Sequence, residues 1–142
     1  MMHTIMLPDY YMGRDAKYAG LLTDDLRKNA FVVVAKANTL LTQLLAANVP
    51  LETSPTTHTL VSSGWRPAEV NAATPNASTR SKHLTCQAID IYDPEGLIDD
   101  WCMDHLHVLE AVELWMENPA ATKGWAHWQI IPPKSGKRVF FP

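Results

Sequence analysis

Residues 23–48, TDDLRKNAFVVVAKANTLLTQLLAAN, constrain this chain most, because Leu26, Ala30, Val33, Ala37, Leu40, Leu44 and Leu45 recur at helical spacing over an unusually long stretch. Thr23 predicts the N-terminal cap, Asp24 and Asp25 complement the positive end of the helix dipole, and Asn48 before Pro50 predicts the stop. An apolar stripe of that length has to be covered by a second layer. The rest of the chain offers only short apolar runs from which to build it.

Those runs read as strands and short helices. A strand is predicted around Leu60 and Val61, a turn at Gly64, and a short helix opening at Pro67. The polar loop TPNASTRSK follows, then a strand ending near Ile91. Asp93 and Pro94 look like the cap and first residue of a helical stretch running to Pro119, with a shift of apolar period near His105 that implies a kink or two helices. The tail GWAHWQIIPPKSGKRVFFP predicts two strands joined as a hairpin through Pro-Pro and Ser-Gly turn signals. The expected class is therefore α+β, a small, largely antiparallel sheet packed with helices, in one domain spanning 1–142.

Composition narrows the function. At 142 residues a single core can bury roughly two-thirds of the unfolded surface, so no disulfide staples are needed. Cys86 and Cys102 fit free thiols of a reducing cytoplasm. The opening MMHTIMLPDYYMGRD lacks a basic n-region and a continuous apolar h-region, and no run of eighteen apolar residues occurs, which sets export by a signal peptide and membrane spanning aside. A net charge of −3, from 12 Lys+Arg against 15 Asp+Glu, argues against a general nucleic-acid binder.

SKHLTCQAIDI, residues 81–91, carries Asp90 into apolar company, where an uncompensated charge costs several kcal/mol. His83 precedes it by seven positions. On a straight strand the two would face opposite ways roughly 23 Å apart, too far to share a metal, so a shared site requires a bend between them. In GWAHWQII a period of two sets Trp125, His127 and Gln129 on one face and Ala126, Trp128 and Ile130 on the other. Packing the second set inward turns His127 toward a cleft.

SKHLTCQAIDI resembles the Ser-x-His, six residues, Asp signature of the zinc-dependent D-Ala-D-Ala carboxypeptidase and endolysin family, peptidase family M15. SSGWRPAEVNAA is similar to its Ser-Gly-Tyr-Arg element, and GWAHWQ to its Trp-x-His strand. DYYMGRDAKYAGLLTDDLRKNA and PPKSGKRVFFP are similar to the phage and prophage branch, so the resemblance covers nearly the whole chain in order. It implies a DD-peptidase-like or hedgehog-like fold with a zinc site at the sheet edge. His83, Asp90 and His127 would be the Zn2+ ligands, a set that leaves a coordination position open as catalytic sites do. Arg66 would orient substrate, a guanidinium suiting the carboxylates of a peptidoglycan stem peptide. Ser81 would bond substrate or shape the loop.

The implied activity is zinc-dependent hydrolysis of stem peptides, of the D-Ala-D-Ala carboxypeptidase or L-Ala-D-Glu endopeptidase type. Synthesis would occur in a host cytoplasm without a signal peptide, with action at the cell wall after lysis or as a virion component beside other virion proteins. Two departures stand out. Gly124 occupies the position where many members carry an acidic general base, and Cys86 replaces the glycine of a His-Leu-x-Gly pattern. A base must then come from elsewhere, and Glu117, at the predicted end of a helix whose face it shares with Glu113, is the candidate. The alternative is a catalytically impaired structural or wall-binding virion protein with the same fold. His105 and His107, about 200° apart on a helix, are not expected to share an ion. His58 and His3 have no partner at ligand spacing, and Trp101 and Trp115 read as core or groove walls.

Overall fold

The computed structural model describes residues 5–142, so His3 lies outside the described residues. The short helices α1 (Leu7–Tyr11) and α2 (Arg14–Lys17) and a 3-10 turn at Ala19–Leu21 precede the long helix α3 (Asp24–Ala46). Thr23 Oγ1 accepts from Leu26 N at 3.2 Å. At the other end Asn48 takes the left-handed conformation (φ 60°), and the amides of Asn48 and Val49 reach the carbonyls of Leu45 and Leu44, a Schellman closure. Ala30, Val33, Val34, Ala37, Leu40, Leu41 and Leu44 form the buried stripe. By length and apolarity α3 also meets the requirement for crossing a membrane, but that stripe belongs to the core cluster with Ile89, Ile91, Ala126 and Trp128 of the sheet.

Among the described residues the sheet has five strands, β1 (Val61–Ser63), β2 (Ala88–Asp93), β3 (Trp115–Glu117), β4 (Gly124–Gln129) and β5 (Val139–Phe140), in the order β1-β2-β4-β3-β5. All pairings are antiparallel except β3 with β5. The chain is thus α+β with a small mixed sheet, mostly antiparallel, packed with helices. Helices α4 (Ala68–Ala73), α5 (Leu97–Asp104) and α6 (Leu106–Val112) complete it.

Two expectations need correction, and two short helices were not expected. The helical stretch does not reach Pro119. It breaks at His105 and stops where Glu113 turns left-handed (φ 63°), after which Trp115–Glu117 form a strand with Met116 in the core. The tail is not a hairpin, because β3 lies between β4 and β5; consecutive prolines at 132 and 133 donate no backbone hydrogen bond, and the chain crosses over instead of turning back. Helices α1 and α2, with five and four residues, are too short to leave a periodic signal.

At the seat of α5, Asp93 accepts from the amides of Ile98 and Asp99, both at 3.0 Å. Asp99 is 2% exposed; one carboxyl oxygen accepts from Thr122 Oγ1 at 3.3 Å and the other has no partner among the described residues. Burial first, then the charge of Asp93, pushes the Asp99 carboxyl up to about 7. Its pKa in the folded chain therefore lies above the unfolded value, and the stability it contributes is complete below about pH 4 and lost as pH rises through 7. Asp99→Asn is expected to flatten the profile between pH 5 and 8 and to raise stability at pH 8 by roughly 1–3 kcal/mol, read from urea denaturation across that range.

Candidate metal centre

The loop after β1 folds tightly because α1 presses on it. A Cβ on Gly64 would lie 1.8 Å from the Tyr10 carbonyl oxygen, and the amide of Trp65 donates to that same oxygen at 3.2 Å. The loop in turn holds residues 81–87. Arg66 N donates to the His83 carbonyl at 3.1 Å, and Ser81 Oγ accepts from Arg66 Nη2 at 3.3 Å and from His83 N at 3.2 Å. Cys86, left-handed at φ 58°, supplies the bend that carries the chain into β2. A glycine takes that conformation without strain. The thiol is buried, pushed up to about 12 by desolvation, and stands outside the cluster described next.

On β2 and β4, Asp90 is directly opposite His127, and His83 arrives from its loop above them. The donor atoms of His83, Asp90 and His127 lie within 4.8 Å of one another, and all three residues are buried. The cluster stands on the face of the two inner strands and not, as expected, at the sheet edge. Ser63 opposite Asp90, Glu117 beside His127 and Phe140 opposite Glu117 extend one row across that face.

The hydrogen-bond partners fix which ring nitrogens are free. Gln129 donates its amide to the Ile131 carbonyl at 2.8 Å, so its oxygen is what faces His127 Nε2 at 2.9 Å, and that nitrogen must carry the proton. The His127 Nδ1 lone pair then points at Asp90 Oδ1, 2.8 Å away. His83 repeats the pattern. Its Nδ1 donates to the Gly64 carbonyl at 2.8 Å, leaving Nε2 buried and without a hydrogen bond among the described residues, 3.2 Å from Asp90 Oδ2. Two lone pairs aimed at one carboxylate repel unless protons or a cation lie between them.

Protons can serve. Burial alone would lower His127 and raise Asp90, yet their contact reverses both: His127 rises to about 9, and Asp90, held by His83 and His127, falls well below the usual carboxylate range. A divalent ion serves as well, since two neutral imidazoles whose outer nitrogens donate to carbonyl oxygens, plus one carboxylate, make a metal donor set with its orienting partners in place. The residues present therefore fit a metal ion.

Arg66 and Ser81 lie at this site. Burial lowers the Arg66 guanidinium, and the charges of Asp90 and Glu117 partly restore it. Glu117 Oε1 is 3.9 Å from His127 Nε2, and it comes from strand β3, not from a helix end. The acidic helix stripe predicted with Glu113 does not form; Glu113 ends α6 and faces Lys36 at 3.6 Å. Gly124 is left-handed (φ 103°) with open space where a side chain would start. Gln129 and the Gly64 carbonyl orient the two rings without belonging to any motif of the sequence, although the period of two sets Gln129 on the face of His127.

The other histidines stay apart from this group. His105 interrupts the helix, so the predicted 200° separation does not apply, and its ring lies 5.9 Å from that of His107. It is stacked on Trp101 at 3.9 Å, and no third donor joins the two among the described residues. Trp115 is covered by Arg138 at 4.4 Å. His58 lines a cavity of about 590 Å³ with Leu45, Val49 and Leu51, which includes none of the three clustered residues. Comparison with protein-family models, with curated proteins and with solved structures finds no match.

Proposed function

We propose that this protein is a zinc-dependent peptidase that hydrolyses peptide bonds in peptidoglycan stem peptides, with the fold and ligand set of the D-Ala-D-Ala carboxypeptidase and endolysin family. The observation that carries the reading is the convergence of His83 Nε2, His127 Nδ1 and Asp90, each imidazole already anchored through its other nitrogen. Bound zinc supplies a Lewis acid that polarises a carbonyl and brings the pKa of a water to about 7.

The chain supplies the rest. Asp90 offsets the ion's charge, while Gly64 and Gln129 hold the two rings in the ligating tautomer. Arg66, held by Ser81, binds a substrate carboxylate and orients the peptide over the row Asp90–His127–Glu117. Glu117, the carboxylate of that row outside the ligand set, accepts the proton of the attacking water and returns it to the leaving amine, the work that Gly124 cannot do. The setting is a phage or prophage product made in the host cytoplasm that acts on the wall after lysis or within the virion. A second reading, a wall-binding virion protein without turnover, is favoured by Gly124 alone.

Purified stem peptides of defined sequence, with products identified by mass spectrometry with and without added zinc, test the reading. Zinc-dependent release of D-Ala, or cleavage between L-Ala and D-Glu, is expected. Glu117→Gln is expected to keep the metal and to lower kcat about 10²- to 10⁴-fold. Unchanged turnover would remove Glu117 from the mechanism, and bound zinc without any cleavage would favour the wall-binding protein.

A further inference from the structure

The cavity of about 590 Å³ lies between the C-terminal end of α3 and the loop that leads into β1. It shares no residue with the metal cluster or with Arg66, Ser81 and Glu117. Its volume falls in the roughly 300–1,000 Å³ range of small-molecule sites. Leu45, Val49, Pro50, Leu51 and Leu60 give it aliphatic walls, so whatever fills it needs an apolar body.

Those walls are already ordered. In the loop, the buried Ser54 donates its amide to the Thr59 carbonyl at 2.7 Å, and its own carbonyl accepts from His58 N at 2.8 Å. Thr57 Oγ1 donates to the Val61 carbonyl at 2.7 Å. On the other side, the Schellman closure of α3 fixes Asn48 and Val49. A site ordered in advance loses little conformational entropy on capture.

The charges around the cavity favour one sign. Asp9 is the only carboxylate on the wall, and among the described residues neither a lysine nor an arginine lines it. Asp9 Oδ2 accepts from Met6 N at 2.8 Å, and among the described residues no cation pairs with this carboxylate. Leu45 stands in the last turn of α3, a helix of 23 residues with no basic side chain in that turn. Aligned peptide dipoles place about half a negative charge at such an end. Asn48 adds an amide oxygen as an acceptor, and His58, the other titratable side chain on the wall, is exposed.

We infer that this cavity binds a small, free aliphatic amine as its ammonium ion, with the alkyl chain against the leucines and the head at Asp9 and the carbonyl end of α3. An ammonium donates three hydrogen bonds and accepts none, which matches a wall of acceptors. A carboxylate of equal length would meet like charge. The site goes beyond the peptidase reading and stands without it.

The test compares three ligands of one chain length. n-Octylammonium, n-octanol and n-octanoate are titrated into the full chain at pH 8, following the methyl resonances of Leu45, Val49, Leu51 and Leu60 by NMR. The ammonium is expected to shift them saturably, with the alcohol about tenfold weaker and octanoate weaker still. Asp9→Asn keeps an oxygen for the Met6 amide and is expected to bring the ammonium down to the affinity of the alcohol. Equal affinity for all three, tightest binding of octanoate, shifts confined to other parts of the chain, or a full preference for the ammonium in Asp9→Asn would overturn the site. If Asp9→Asn does not fold, added salt decides with the wild type: a preference for ammonium over alcohol that shrinks supports the site, and one that does not change overturns it. A preference seen only with zinc bound would place the ligand at the metal centre and overturn it as well. Tighter binding of Nα-acetyl-lysine methylamide than of n-butylammonium would replace the free amine by a peptide side chain and overturn the assignment.

Discussion

Asp90→Asn is expected to lower the bound zinc from equimolar to background and to destabilise the metal-free protein by about 3–5 kcal/mol near neutral pH, the range for removing one partner of a buried ion pair. The carboxylate is the single negative charge toward which both imidazoles are turned. An asparagine of the same shape leaves a buried imidazolium at His127 with only the longer contact to Glu117, at 3.9 Å, or forces it to lose its proton. The pH dependence follows the same contact. His127 has a folded pKa of about 9, above its ordinary 6.5, so its contribution without metal is complete below 6.5 and is lost as pH rises through 9. Asp90 works in the opposite sense, its contribution being complete above the ordinary carboxylate pKa and lost on strong acidification. Zinc uptake by the wild type should release protons, since the ion replaces those shared with Asp90. Calorimetry in buffers of different ionisation enthalpy, with urea denaturation of the variant, checks each statement. Retention of zinc by Asp90→Asn would remove Asp90 from the ligand set.

The second large effect is structural. Gly64→Ala is expected to cost more than about 3 kcal/mol, in the range reserved for severe overpacking. The added carbon would meet backbone, the Tyr10 carbonyl at 1.8 Å, and not the yielding end of a side chain. Either α1 or the loop must move. Moving α1 separates Tyr11 from Trp65, now edge-to-face at 6.3 Å, and moving the loop takes the Gly64 carbonyl away from His83. Urea midpoint, tryptophan fluorescence and zinc content should all change together. Gly20→Ala is the control, because a Cβ there meets nothing within 4 Å. Equal stability of the two variants would mean that α1 does not brace the site.

Periodicity located α3 with both its caps, the alternation of β4 and the break at His105, all of which depend on neighbours in the chain. The same local arithmetic excluded a straight connection from His83 to Asp90, and the bend lies at Cys86. Reading Glu117 onto a helix failed because three strand residues following a helix carry too little pattern to oppose its continuation. Their strand state is set by pairing with β4 and β5, partners that a local window does not contain.

Residue order therefore sufficed for which side chains have metal-binding chemistry and which faces of their elements they occupy, since both follow from residue type and backbone period. Long-range packing settled which of them meet. The antiparallel register of β2 with β4 brings Asp90 and His127 together, the contact of α1 with Gly64 braces the loop that holds His83, and Gln129 and a carbonyl choose the tautomers. Such contacts join residues far apart along the chain, and their energies exist only once the core has closed.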